Sequence, residues 1–151
     1  AKRQILGVYD KGLLKTFGNV SNLLKMHHVL VVHGNDGLDE ISITDKTFVT
    51  ELKDGNLNQF EIQPEDFGLS RANITALKAE TPEESLELIN AAFEGKESPV
   101  QDMISLNAGA SLYLSSASNS IKDGVSLAKE LLNNGKAKQT FSSYIEMTNS
   151  L

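Results

Sequence analysis

Residues 28–42, HVLVVHGNDGLDEIS, decide the fold, because a strongly apolar run passes directly into a loop with two glycines and three acids. Val29 to Val32 are β-branched residues and a leucine without interruption, which predicts a strand at 28–33 that is covered on both sides. A loop that only reversed the chain would need Gly or Asn, and not the adjacent carboxylates of Asp39 and Glu40. The acids therefore indicate that a positively charged group lies beside this loop.

The residues before this strand predict a helix that follows a short apolar piece, RQILGVYD. Leu13, Phe17, Val20 and Leu24 are spaced by 4, 3 and 4 residues, which places them on one helical face. A helix, a buried strand and a glycine-containing loop in this order are typical of one unit of a wound α/β sheet.

The next segment predicts an antiparallel hairpin at about 47–63. Asp54-Gly55 lies between two strand-like runs, and Asp-Gly between such segments is a strong hairpin signal. Pro64 ends the hairpin, and the segment EDFGLSRANITALKAE that follows it predicts loop or short helical turns.

Four helices are predicted in the remainder of the chain, at 81–95, 99–117, 120–134 and 137–149. Thr81 is the expected N-cap of the first, with Pro82 at the first helical position and Glu84 completing a capping box. The second helix carries the small residues 108–110, which allow close approach of another backbone and indicate a central position. The apolar faces expected for the first, third and last of these helices are Leu86, Ile89 and Phe93; Ile121, Val125, Ala128 and Leu132; and Phe141, Tyr144 and Ile145.

Together these elements predict one α/β domain over residues 1–151, with helices on the faces of a mixed sheet. The chain has 20 acidic and 14 basic residues and a net charge of −6, which argues against a nucleic-acid partner. It has no cysteine, which excludes disulfides and thiolate chemistry and fits a cytoplasmic protein. No apolar run approaches the roughly 20 residues that a membrane span needs, so no membrane partner is expected.

The acidic loop is the main candidate for chemistry. Paired carboxylates beside Asn35 and glycines suit a hard cation, and Mg²⁺ typically takes only one or two protein carboxylates and leaves other positions to water and substrate phosphate. A calcium loop is excluded, because aligning Gly37 with the invariant glycine of that motif puts Val32 where the first acid must stand. From spacing alone, a solvated turn without function remains open.

Other chemistry finds little support in the sequence. His27, His28 and His33 lack any recognised metal-ligand spacing. There is neither a Gly-x-Ser-x-Gly elbow nor a glycine-rich phosphate loop. The stretch 107–109, Asn-Ala-Gly, is interpreted as helix packing. No catalytic residue is therefore predicted.

Four segments, KRQILGVYD, VLVVHGNDGLDEIS, PEDFGLSRA and SLNAGASLYL, follow one another as in the anthranilate phosphoribosyltransferase family. The resemblance covers nearly the whole chain, and the His-Gly-x-Asp-Gly-Leu-Asp-Glu stretch is its most specific part. It implies that the chain is the C-terminal part of a nucleoside phosphorylase/phosphoribosyltransferase-type α/β domain, roughly the second half of the family's chain.

The resemblance implies a function as well. The family transfers ribose 5-phosphate from phosphoribosyl diphosphate to the amino group of anthranilate and releases diphosphate, a step of tryptophan biosynthesis. Its adjacent Asp-Glu pair helps hold Mg²⁺ on the diphosphate, and this pair maps onto Asp39 and Glu40. The intact enzyme is expected to be a cytoplasmic homodimer.

The family's glycine-rich diphosphate loop, Lys-His-Gly-Asn stretch and anthranilate-binding arginine match no part of residues 1–151. The chain alone is therefore expected to be inactive, to bind Mg²⁺ weakly, and to be a monomer or a pair formed through a surface that the intact enzyme buries. The segment 78–85, KAETPEES, departs from the family pattern, with Ser85 about where an asparagine is usual. A pyrimidine nucleoside phosphorylase-like enzyme and a non-catalytic binding relative remain alternatives.

Overall fold

The sheet of this protein contains four strands in the order in which they follow one another along the chain. A computed structural model describes residues 1–150, and its strands are β1 (Arg3–Gly7), β2 (His28–Gly34), β3 (Thr47–Lys53) and β4 (Asn56–Ile62). β1 is parallel to β2, whereas β3 is antiparallel to both β2 and β4. The predicted mixed sheet is confirmed.

Strand β2 is buried on both faces, as its continuous apolar run predicts. Leu30 and Val32 belong to one hydrophobic cluster, whereas Val29 and Val31 belong to another on the opposite side of the sheet. Because side chains alternate across a strand, a run without polar residues can be satisfied only by two apolar layers. β2 therefore contributes to both layers, as does β3, with Val49 in one cluster and Phe48 and Leu52 in the other.

The hairpin of β3 and β4 closes at Asp54-Gly55, as predicted. Both turn residues have positive φ, 49° at Asp54 and 81° at Gly55, which is the requirement of a two-residue turn that matches the twist of its strands. Lys53 pairs with Asn56 directly across this turn, so the turn sets the register of the whole hairpin.

Within residues 1–150 the structure has five α-helices, and the limits of the last four lie within a few residues of the predicted ones. They are α1 (Leu13–Leu23), α2 (Pro82–Phe93), α3 (Pro99–Leu114), α4 (Ile121–Asn133) and α5 (Lys136–Asn149), with short 3₁₀ helices at Pro64–Phe67 and Ile74–Leu77. None of the helices in residues 1–150 combines the length and apolar character that crossing a bilayer requires.

The start of α2 differs from prediction in one detail. Thr81 caps the helix, since its hydroxyl accepts a hydrogen bond from the N–H of Glu84 at 3.1 Å. The Glu84 carboxylate, however, accepts from the N–H of Glu80 at 2.8 Å and not from that of Thr81. The reciprocal capping box is therefore replaced by a bond one residue farther back.

Helices α3 and α4 pack with their backbones in contact, which confirms the central position predicted for α3. A Cβ atom on Gly109 would lie 2.5 Å from the backbone nitrogen of Val125, so only glycine allows this approach. The four predicted apolar positions of α4 all lie in the core: Ile121, Val125, Ala128 and Leu132.

Three expectations about buried faces do not hold. The predicted apolar face of α1 is largely exposed, and this helix instead buries Leu14, Gly18 and Ser21. In α2, Leu86 is exposed and Ala92 is the fully buried residue. No residue of α5 is fully buried; Phe141 is half-buried, and Tyr144 and Ile145 are exposed. In α1 the cause is the small side chains, since a Cβ on Gly18 would lie 2.7 Å from Cγ2 of Thr50.

Candidate active site

The acidic loop begins where β2 ends and is closed by short backbone hydrogen bonds. The N–H of Gly34 donates to the carbonyl of Leu38 at 2.7 Å, and the N–H of Gly37 donates to the carbonyl of Gly34 at 2.9 Å. Gly37 has a φ of 93°, a conformation that favours glycine. The loop is therefore a defined turn at the carboxyl end of β2.

Asp36, the first acid of the loop, has a structural role. Its carboxylate accepts hydrogen bonds from the Ser42 hydroxyl at 2.5 Å, from the Thr44 hydroxyl, and from the N–H of Leu38 at 3.2 Å. Partial burial alone would raise the pKa of Asp36, but these hydrogen bonds outweigh it and lower the pKa. Asp36 is thus held as an anion inside the loop and ties its two ends together.

Asp39 and Glu40 lie in a different environment. Within residues 1–150 neither carboxylate forms an ion pair or accepts a hydrogen bond from a neighbouring side chain. Burial raises the pKa of Glu40, and the adjacent charge of Asp39 raises it further. The pair is therefore two adjacent carboxylates that have no ion-pair partner in the described part of the chain, although Lys78 lines the same cavity.

Both carboxylates line an open cavity of about 970 Å³ at the carboxyl ends of β1 and β2. Its other walls come from α2, α3 and the segment before α2, and are mostly apolar. Ligands of open α/β sheets collect at this end of the strands. The polar residues that line the cavity with the acidic pair are Lys78, Ser85, Asn107 and Ser111.

Asn107 of α3 fixes the backbone of the loop directly after the acidic pair. Its side-chain oxygen accepts from the N–H of Ile41 at 3.0 Å, and its amide nitrogen donates to the carbonyl of Ile41 at 2.9 Å. Both backbone groups of the residue after Glu40 are therefore bound to one helix. Sequence reasoning interpreted Asn107 as helix packing, although an asparagine inside a helix, where its propensity is poor, was a signal of such a role.

Gly7, at the end of β1, is the second residue that sequence reasoning missed. A Cβ atom on Gly7 would overlap the carbonyl group of Asp39, so the loop can cross the end of β1 only above a glycine. Gly7 and Asn107 together fix where the backbone of the acidic pair runs.

The three histidines do not come together. The buried His28 donates from Nε2 to Glu51 at 2.7 Å, whereas Nδ1 of His33 bonds to the carbonyl of Val8 at 2.8 Å. Among residues 1–150 no group of three histidine, cysteine or acidic side chains could hold a metal ion.

The acidic pair nevertheless fits Mg²⁺. Two adjacent carboxylates provide as many protein ligands as Mg²⁺ commonly takes when substrate oxygens and water complete its shell. Neither carboxylate forms an ion pair within residues 1–150, which leaves both available to a metal ion.

Comparison with protein families gives a match over residues 1–138 to the model described as the glycosyl transferase family, a/b domain. Among curated relatives, an anthranilate phosphoribosyltransferase of Methanobrevibacter smithii is 43% identical over 150 residues, and one of Vesicomyosocius okutanii is 42% identical over 142 residues. These alignments include 99% and 94% of this chain but only 45% and 42% of the relatives. The chain thus spans less than half the length of the proteins it resembles.

Solved structures show the same relationship. Anthranilate phosphoribosyltransferase from Saccharomyces cerevisiae in complex with PRPP and Mg superposes with a TM-score of 0.86 at 28% identity, covering 99% of this chain and 43% of that one. The enzyme from Thermus thermophilus gives a TM-score of 0.82 at 32% identity, with 93% and 41% covered. These matches confirm the predicted fold class, an α/β domain of the nucleoside phosphorylase/phosphoribosyltransferase type.

Proposed function

We propose a function from one premise: this chain belongs to the glycosyl transferase family and carries its a/b domain. The chain is the C-terminal part of an anthranilate phosphoribosyltransferase and supplies the metal-binding side of its active site. The intact enzyme transfers ribose 5-phosphate from phosphoribosyl diphosphate to anthranilate and releases diphosphate. It works as a cytoplasmic homodimer.

The observation that carries this proposal is the pair Asp39 and Glu40, which lines the cavity and forms no ion pair with any group of residues 1–150. Anionic diphosphate cannot bind beside bare carboxylates, because like charges repel at short distance. A divalent cation between the carboxylates and the diphosphate replaces this repulsion with attraction, because it is attracted to both anions. One relative of known structure is described with both PRPP and Mg, which supports this pairing of ligands.

The residues around the pair have positioning roles. Asn107 and Gly7 set the path of the backbone at Asp39 to Ile41, and Asp36 closes the loop from within. When bound, Mg²⁺ would neutralise the charge that develops on the leaving diphosphate. Because positioning and charge neutralisation suffice for such a transfer, no covalent nucleophile from this chain is required.

The alternatives have less support. The curated relatives described above are transferases by name, which favours phosphoribosyl transfer over a pyrimidine nucleoside phosphorylase-like reaction. A non-catalytic binding relative would have no need for two adjacent carboxylates without an ion pair in this cavity.

The test is the double substitution Asp39→Asn with Glu40→Gln in the intact enzyme. We expect kcat/KM for phosphoribosyl diphosphate at saturating anthranilate to fall by about 100-fold or more, since metal stabilisation supplies several kcal/mol. The dissociation constant of anthranilate should change little. Initial rates over a series of Mg²⁺ concentrations measure the first effect, and calorimetry measures the second.

A matched control is Glu130→Gln with Glu146→Gln, which removes the same two charges from exposed helical positions outside the cavity. This variant should keep the parental dependence on Mg²⁺. An unchanged dependence in the Asp39/Glu40 variant, or an equal loss in the control, would reject the proposed role of the pair.

The 151-residue chain alone should not catalyse the transfer. Holding both substrates in place can account for roughly 7–11 kcal/mol of barrier lowering. By the family resemblance, the groups that grip the diphosphate and orient anthranilate belong to the other part of the enzyme. The purified chain, shown to be folded by circular dichroism, should give no product in a transfer assay with Mg²⁺ and both substrates. Measurable turnover would contradict this division of the active site.

A further inference from the structure

A second polar pocket lies at the opposite end of the sheet from the acidic loop. It has a volume of about 210 Å³ and lies between the start of β1, the end of β3 and the loop after α3. Arg3 stands four residues before Gly7 on β1, which corresponds to about 13 Å along the strand. The two pockets are therefore separate sites on one sheet.

Arg3 is fixed in this pocket and still has donors to offer. Its Nη1 donates to the carbonyl of Leu114 at 2.5 Å and to the Ser116 hydroxyl at 2.6 Å. These bonds hold the guanidinium against the end of α3. Within residues 1–150, Nε and Nη2 of Arg3 have no acceptor, and guanidinium groups bind oxyanions through two such N–H groups at once.

Lys53 supplies the second cation. Its ammonium donates to the Tyr113 hydroxyl at 3.1 Å and lies 4.9 Å from the centre of that ring. The hydrogen bond with Tyr113 raises the pKa of Lys53, and the nearby charges of Glu51 and Asp54 raise it further. Within the described residues, two of the three ammonium protons are free for a ligand.

Two carboxylates lie near these cations, one outside the lining residues and one among them. Glu51 lies behind the wall, where one of its oxygens accepts from the Tyr113 hydroxyl at 2.9 Å and from His28 at 2.7 Å. Asp54 is the single carboxylate among the lining residues that the structure describes, against the two cations Arg3 and Lys53. The formal charges of the lining residues sum to +1 when histidine is counted as neutral, as in the chain's total of −6, and Glu51 outside the lining offsets this charge. The pocket is therefore distinguished by the free N–H donors of Arg3 and Lys53 and not by an excess of positive charge.

The volume limits the ligand to a small molecule. Pockets for drug-sized ligands measure roughly 300–1,000 Å³, so about 210 Å³ has no room for a nucleotide. Hydroxyl and amide groups of Ser116, Ser118 and Asn119 complete the wall. This lining suits a group that accepts many hydrogen bonds.

We propose that Arg3 and Lys53, with the loop after α3, form a binding site for a small phosphate-type oxyanion. The site is distinct from the one at Asp39 and Glu40 and does not depend on a metal ion. Its ligand is either free inorganic phosphate or the phosphate group of a small monoester, because both present the same tetrahedral oxyanion.

The test is a titration of the ¹⁵N-labelled 151-residue chain with inorganic phosphate, followed by backbone amide resonances, at constant ionic strength and with a chelator present. We expect saturable shifts at Arg3, Lys53, Ser116 and Asn119, and none at 36–40, where bare carboxylates repel phosphate without a metal. A parallel titration with glycerol 3-phosphate distinguishes the two sources, since the tighter probe identifies the ligand. Shifts that chloride reproduces, or that are confined to 36–40, would overturn the proposal.

Substitutions decide the role of the two cations. Lys53→Gln should weaken phosphate binding by about tenfold or more, since hydrogen bonds to charged groups are among the stronger ones. Lys53→Arg should retain binding, and Lys15→Gln on α1 should not change it, because Lys15 lies outside the pocket. Arg3→Gln should show the same loss as Lys53→Gln; where it unfolds the chain through loss of its bond to Leu114, Lys53→Gln alone decides. Unchanged affinity in Lys53→Gln, or an equal loss in Lys15→Gln, would reject the site.

Discussion

Helices α1 and α4 carry apolar residues at the same spacing of 4, 3 and 4, but only α4 buries them. In α4 the four residues Ile121 to Leu132 are at most 9% exposed. By contrast, Phe17 and Val20 of α1 are 39% and 44% exposed, and Leu24, the C-cap of the same helix, is 64% exposed. Identical periodicity thus has opposite outcomes on two helices of one domain.

The difference arises from what each helix packs against. Helix α4 meets Gly109 of α3, and the glycine lets the apolar side of α4 sink into the core. Helix α1 approaches the sheet through Gly18 and Ser21, beside Thr50 and Leu57. Periodicity identifies an apolar face, whereas the position of small residues decides which face comes closest to the neighbour.

The exposed face of α1 is a candidate interaction surface. Isolated exposed apolar residues are common on proteins, but a contiguous stripe usually marks an interaction surface. The chain alone is predicted to be a monomer or a pair formed through a surface that the intact enzyme buries, and for the pair we assign that surface to Phe17, Val20 and Leu24.

The largest effect is expected from truncating equivalent leucines on the two helices. Leu132→Ala should lower the free energy of unfolding by about 2–5 kcal/mol, because it leaves a cavity in the core. Leu24→Ala should change it by no more than about 0.5 kcal/mol, as for other surface positions. Urea denaturation of both variants measures the two values. Equal losses would mean that α1 buries its apolar face after all.

A smaller effect is expected from Gly18→Ala. Helix propensity alone would stabilise α1 by about 1 kcal/mol. The new Cβ, however, would lie 2.7 Å from Cγ2 of Thr50, and such overpacking costs about 1–3 kcal/mol. We expect a net loss of stability in the same denaturation assay. Asn19→Ala, on the exposed side of the same helix, is the control and should be neutral or slightly stabilising. A more stable Gly18→Ala variant would show that small size at this position is not needed.

The smallest effect on stability, but a visible one on association, is expected from replacing Phe17, Val20 and Leu24 by serine together. Sedimentation velocity at increasing concentration shows whether the parental chain is a monomer or pairs, and any pairing should be lost in the triple variant, because the apolar contact area is removed. A control with serine at Lys15, Asn19 and Asn22 keeps the apolar face and should pair like the parent. Pairing that survives the first triple substitution would place the contact elsewhere.

Local patterns in the sequence were sufficient for most of the secondary structure. The uninterrupted apolar run of Val29 to Val32 predicted a strand buried on both faces, and Asp54-Gly55 predicted a tight turn. Both features could be predicted because each is determined by residues that are adjacent in the sequence. The cap at Thr81 follows from the same local chemistry. The sequence also singled out Asp39 and Glu40, which both line the main cavity, although their metal-binding role remains a prediction.

Contacts between distant parts of the chain were decided only by the tertiary structure. Asn107 binds the backbone of Ile41, which lies 66 residues earlier in the chain, and no local sequence pattern can predict a contact at that separation. The three acids of the loop look alike in sequence, but hydroxyl groups surround Asp36 and leave the other two without a partner in residues 1–150. Periodicity along α1 likewise could not show that Gly18 would face the sheet. Spacing along the chain determines which residues share a face, whereas steric fit between elements determines what that face meets.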